Sequence, residues 1–79
     1  MMSAIDHDLE RHAAESSYAH DLTRDLDVRL KSLERYEQYA VHADGRPRLQ
    51  HLWRHLQLQE VDNIRRVKEM IVDVINDLD

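Results

Sequence analysis

Glu60 is the residue whose position asks most of its surroundings. Leu56 lies one helical turn before it and Ile64 one turn after, with Asn63 three residues on. Helical periodicity therefore puts its carboxylate on an apolar face. An unpaired buried carboxylate is costly, so Glu60 calls for a proton, a cation or a metal. Three arrangements are open to it. Glu60 can sit at the edge of the stripe and reach solvent, it can pair with Arg29 or Lys31, or it can join Glu34 in a site that wants a divalent cation. His51 and His55 form a second candidate, four residues apart, the spacing at which one helix presents two imidazoles to one ion. That pair needs a third ligand. Leu49, Leu52 and Leu56 define the buried side and turn both histidines outward, so ordinary exposed histidines are expected there. Among the other histidines, His12 falls where a seam position is conceivable. The chain carries no Ser-His-Asp pattern and no Gly-rich phosphate cradle, so nucleophilic catalysis is not indicated.

These residues need elements to hold them, and the pattern points to two helices. The strongest breaker is Asp44-Gly45-Arg46-Pro47. Glycine ends a helix well because it tolerates the left-handed conformation, and proline suits the first turn of the next helix. Helix one is expected over about 4–43, the turn over 44–47, and helix two over about 48–78. A connection this short makes antiparallel neighbours. On helix one, Ser3-Ala4-Ile5-Asp6 resembles an N-cap, and the stripe runs through Leu22, Leu26, Leu30, Leu33, either Tyr36 or Glu37, and Ala40. Upstream it thins to Ile5, Leu9, Ala13 and Ala19, and Ser16-Ser17 is a point at which a short extra N-terminal helix could separate. On helix two the stripe is broad, with Leu49, Leu52, Trp53, Leu56, Ile64, Val67, Met70, Ile71, Val74, Ile75 and Leu78 all apolar. Its last turn carries Asp73 and Asp77, where the helix dipole prefers cations.

Counting back from the hinge sets Glu60 opposite the neighbourhood of Leu30, which brings Arg29, Lys31 and Glu34 within reach. Arg29, Lys31, Glu60 and Asn63 then form a candidate polar layer, and Glu34, Glu60, His51 and His55 form a candidate metal set. The fold class is all-α, an antiparallel helical hairpin. Its broad second stripe is more apolar surface than one partner helix covers, so dimerisation into a four-helix bundle is expected.

Composition narrows the function. A chain of 79 residues makes one small domain, and such domains usually need oligomerisation, metals or disulfides. The absence of cysteine excludes the last of these, along with thiolate metal sites. A net charge of −5 argues against general nucleic-acid binding, and Arg65, Arg66 and Lys68 are expected to be a solvated helix face. No apolar run approaches membrane-spanning length, and the opening residues lack the pattern of a secretory leader, so a cytoplasmic protein is expected.

The stretch Tyr36-Glu37-Gln38-Tyr39-Ala40, Leu49-Gln50-His51-Leu52-Trp53, Gln59-Glu60-Val61-Asp62-Asn63 and Glu69-Met70-Ile71 resembles short ferritin-like proteins. It is similar to the two-helix encapsulated ferritins and to half of a rubrerythrin-type bundle. The resemblance spans roughly residues 26–72 and implies a hairpin that pairs with a second hairpin, with inward Glu-x-x-His ligands holding iron. Here Glu60 matches the Glu of that motif, while Asn63 stands where the His belongs, and the first-helix Glu would fall near Arg29 or Lys31. The resemblance thus implies a ferritin-like scaffold whose metal centre is replaced by a polar layer, serving as an oligomerisation or binding protein. Its alternatives are a ferroxidase with iron, or another divalent metal, shared between chains, and a helical subunit docking on a larger protein partner.

Overall fold

The computed structural model describes the backbone of residues 3–78 and the side chains of residues 17–77. It contains two α-helices, α1 (Ser3–His42) and α2 (Pro47–Leu78), folded back to back into a rod 70 × 15 × 13 Å. α1 runs through Ser16-Ser17 without a break, as one helix of 40 residues. The cap expected at Ser3, the upstream positions Ile5, Leu9 and Ala13, and the seam place for His12 concern side chains outside the described residues. Neither helix is long and apolar enough, over the residues described, to cross a membrane.

What joins the helices is one seam with a regular repeat. The α1 side chains turned toward α2 are Ala19, Leu22, Leu26, Arg29, Leu33, Tyr36, Ala40 and Ala43, all buried or half-buried. Those of α2 are Gln50, Trp53, Gln57, Glu60, Ile64, Val67, Ile71 and Val74. Both rows advance by alternating steps of three and four residues, the heptad spacing that keeps one stripe facing a partner in a coiled coil. The register is antiparallel: Ala40 meets Gln50, Tyr36 meets Trp53, and Arg29 meets Glu60. Two features differ from the stripes expected from sequence. Arg29 takes the seam place and Leu30 is exposed, and on α2 Leu49, Leu52, Met70 and Ile75 are exposed as well. A single antiparallel neighbour covers one narrow face of each helix, and these residues lie beyond it.

The hinge is built from the helix ends inward. The last carbonyls of a helix have no partner within it. Here Tyr39 O accepts the Ala43 N–H at 3.0 Å, Val41 O accepts the Asp44 N–H at 3.2 Å, and Ala43 O accepts the Arg46 N–H at 2.9 Å. The Ala40 carbonyl is satisfied from the other helix, by the Gln50 side-chain amide at 3.0 Å. α2 then opens on Pro47, whose missing N–H costs nothing at a first helical position, and Arg46 O accepts the Gln50 N–H at 2.9 Å. Gly45 has φ +82°, a left-handed conformation that a side chain disfavours. A Cβ there would touch nothing within 4 Å, so its penalty is conformational and not steric. Gly45→Ala should therefore destabilise the fold by about 1 kcal/mol, and Gly45→Asn by less, since asparagine tolerates this region. Chemical denaturation followed by circular dichroism measures both; equal stability of the alanine variant would contradict the strained-turn account.

Candidate functional site

Midway along the seam, Arg29 and Glu60 replace what would otherwise be an apolar layer, and Asp25 supports them from beside it. Arg29 donates from Nη1 to Glu60 Oε1 at 3.0 Å and from Nε to Asp25 Oδ2 at 2.6 Å. Asp25 is one turn before Arg29 on α1, whereas Glu60 comes from α2, so the guanidinium bridges an intrahelical and an interhelical carboxylate. The Glu60 side chain keeps 12% of its exposure, the Arg29 side chain 33% and Asp25 45%. The layer grades from a nearly covered carboxylate to a wet one. The two acceptor carboxylates, Asp25 first and then Glu60, hold the Arg29 guanidinium more firmly protonated than usual.

Toward the hinge the helices are tied by a second polar cluster. Arg54 Nη1 reaches Glu37 Oε2 at 2.5 Å, Gln57 Nε2 donates to the same oxygen at 2.8 Å, and Arg54 also donates to Gln57 Oε1 at 2.9 Å. The Gln57 amide and then the Arg54 cation hold the Glu37 carboxyl below its ordinary value. Beside it Trp53 lies between the two tyrosines, stacked on Tyr36 with centroids 6.0 Å apart and tilted against Tyr39 at 4.9 Å. Packing of this kind adds stabilisation beyond area burial at the hinge end of the rod.

The candidate residues fall into separate places. Arg29 and Glu60 come together; Lys31 instead faces outward to Asp27 at 2.8 Å, and Asn63 is half-buried one turn along α2. Glu34 is exposed on α1, away from the Arg29–Glu60 contact. His51 and His55 are both exposed on α2. Among the described residues no three His, Asp or Glu side chains gather in a way that could hold a metal ion. Asp25 stands outside the seam row, and its four-residue spacing to Arg29 is the signal that pairs them. Gln50 and Gln57 are not among the expected seam residues, and the three–four alternation of α2 is the signal that marks them.

The chemistry this arrangement can perform is pairing. Glu60 already has its cation, and a metal at that oxygen would have to displace a guanidinium held from two sides. Removing one partner of a buried pair is more costly than removing both, because the survivor is left unsatisfied. Arg29→Leu should destabilise the fold by about 1–2 kcal/mol, while Glu60→Leu should change it little, since Arg29 keeps Asp25 and solvent. The double variant should recover most of the loss; a double-mutant cycle by urea denaturation checks this, and strictly additive effects would refute the coupling.

Acid should loosen the hairpin for a related reason. Glu37 and Asp62 both lie below their ordinary values, Glu37 through Gln57 and Arg54, Asp62 through Arg65 and then Arg66. As pH falls the unfolded chain binds these protons first, so their contribution is complete above the ordinary values of 4.5 and 3.8 and fades as pH drops through the lower folded ones. The melting temperature should fall with decreasing pH below about 4.5, and less steeply in Glu37→Gln; parallel profiles for the two proteins would count against the Glu37 contribution.

Neither a protein-family model, nor a curated protein, nor a solved structure matches this chain.

Proposed function

We propose that this chain is a structural assembly module, a coiled-coil hairpin that pairs with another hairpin into a four-helix bundle and serves binding or assembly, not iron oxidation. The observation that carries this reading is the apolar surface left uncovered. Only Ala40, Ala43 and Ile64 are buried apolar residues among those described, while Leu58 is 72% exposed and Val28, Val41 and Val72 each exceed half. A rod of this kind lowers its free energy by covering those flanks, and a second copy is the simplest cover. In this reading the Arg29–Glu60 layer sets the register, as a polar residue at a core position does in coiled coils. A ferritin-like ancestry is compatible with it: such bundles are completed by pairing hairpins, and Asn63 stands where the iron-binding imidazole would be. A cytoplasmic setting is part of the proposal.

Sedimentation velocity of the purified protein, with and without Fe(II), paired with elemental analysis of the same samples, tests it. The expected result is a concentration-dependent dimer or larger oligomer that is folded without metal and unchanged by iron. A folded monomer at all concentrations would overturn the assembly reading. Stoichiometric iron that is lost in Glu60→Ala would replace it with the ferroxidase one. Aggregation or partial unfolding of the isolated chain would point instead to docking on a larger partner.

A further inference from the structure

The heptad seam divides the rod into two flanks, and they differ in how their charges are sorted. On the flank that carries the Glu37–Arg54 pair, the exposed charged side chains of α1 are the carboxylates Asp27, Glu34 and Glu37, of which Asp27 is bonded to Lys31 on its own helix. Those of α2 on the same flank are the cations Arg54, Arg65 and Lys68, of which Arg65 is bonded to Asp62 and Glu69 on its own helix. Between them stand Leu30 on α1 and Leu58, Val61, Val72 and Ile75 on α2, all exposed. The opposite flank exposes Tyr39, Leu49, Leu52 and Met70, but its charges are mixed on both helices, with Asp21 and Arg35 on α1 and Arg66 and Asp73 on α2.

Resting on the assembly reading above, we infer that the Leu30–Leu58–Val61 flank is the surface on which a second copy of this chain docks, with a two-fold axis along the rod and both hinges at the same end. Face-to-face stacking of two hairpins has two symmetric solutions. With the two-fold axis along the rod, α1 of one copy lies on α2 of the other, so the carboxylate row meets the cation row. With the axis across the rod, like helices meet in opposite directions, so the cations of α2 confront cations of the partner's α2 and the carboxylates of α1 confront carboxylates of its α1. Like charges facing across an interface disfavour that pairing, so charge complementarity selects the first.

The register follows from the fold. In the first solution each α1 residue sits level with the α2 residue of the partner that it already faces within its own chain. Leu30 then enters between Leu58 and Val61 of the other copy, and Glu34, unpaired among the described residues, comes level with Arg54, while Asp27 and Arg65 keep their own-helix partners Lys31, Asp62 and Glu69. The surface is large enough. A strip the length of α2, about 48 Å at 1.5 Å per residue, and 15 Å wide is about 700 Å² per copy, within the range of stable pairs.

Because the chain has no cysteine, one introduced at the exposed hinge residue Asp44 can carry a spin label at a single site. Sedimentation of the labelled Asp44→Cys protein and the label–label distance by double electron–electron resonance form the test, together with Leu58→Asp and Leu52→Asp in the full chain. The inference expects a dimer, a separation below about 25 Å (two to three helix diameters), and a dissociation constant raised on the order of 100-fold by Leu58→Asp. Leu52→Asp, on the opposite flank, should leave the dimer intact. A dimer with labels near the far ends of the 70 Å rod overturns the orientation and leaves the assembly reading standing. A dimer dissolved by Leu52→Asp and untouched by Leu58→Asp overturns the surface. A monomeric wild-type protein overturns both the inference and the reading beneath it.

Discussion

The Glu60 carboxylate, held between two helices with little access to water, has to find a cation, and α1 offers one at a single level of the seam. Arg29 meets it at 3.0 Å and is itself steadied by Asp25. Sliding α2 by one heptad would set Glu60 against Tyr36 or Leu22 and leave the charge unpaired, so the pair admits one register where apolar layers alone would tolerate several. The hinge agrees with it. Gln50 reaches the Ala40 carbonyl, and Arg54 and Gln57 converge on Glu37, only when Arg29 is level with Glu60. Turn, aromatic cluster and ion pair therefore state the same alignment from three places, which is the mutual consistency expected of a chain with one folded form.

That alignment spends seam positions on polar groups. Gln50, Gln57, Glu60 and Arg29 occupy places that leucine or isoleucine would fill in a hairpin built only for stability, and an ion pair there contributes little net against apolar replacements. Further apolar residues lie on the flanks: Leu30, Leu58, Val61, Val72 and Ile75 on one, Tyr39, Leu49, Leu52 and Met70 on the other. A rod 15 Å across has no interior in which to hide them. The seam thus keeps an apolar majority with polar residues concentrated from Gln50 to Glu60, and it leaves apolar side chains on both flanks for the proposed association to cover.

Much of this was legible in the residues, and the part that was not has a geometric cause. Asp44-Gly45-Arg46-Pro47 placed the hinge, because the φ of +82° at Gly45 and the start of α2 at Pro47 are what those residue types do. Glu60 stood out because apolar residues flank it at four-residue intervals. Following the leucines Leu22, Leu26 and Leu30 in successive steps of four, however, drifts about 40° around the helix at each step, since 3.6 residues make a turn. Two such steps leave the seam, so Leu30 emerges on the flank and Arg29, three after Leu26, takes the seam. On α2, Leu49, Leu52 and Leu56 form a parallel row one residue, about 100°, away from Trp53, Gln57 and Glu60, with Leu56 half-buried at its edge. A search for apolar periodicity passes over a seam whose members are polar at alternate turns, and recognises it only once both helices are seen to alternate three and four.

The candidate metal residues scatter for a connected reason. A dinuclear iron site needs several carboxylates and imidazoles turned inward at one level of a bundle. Here the level of Glu60 is filled by a guanidinium, and Glu34, His51 and His55 sit on outward positions of their heptads. An arginine at such a layer neutralises the carboxylate, and its rigid fork also occupies directions from which a second ligand would approach. With that layer fixed, the exposed carboxylates of α1 and cations of α2 on the Glu37–Arg54 flank carry mainly pairs within the chain, Asp27 with Lys31, Glu37 with Arg54 and Arg65 with Asp62 and Glu69, while Glu34 and Lys68 have no such pair among the described residues. Their sorting onto different helices of one flank gives the outer surface an orientation of its own, as the Arg29–Glu60 pair gives one to the inner.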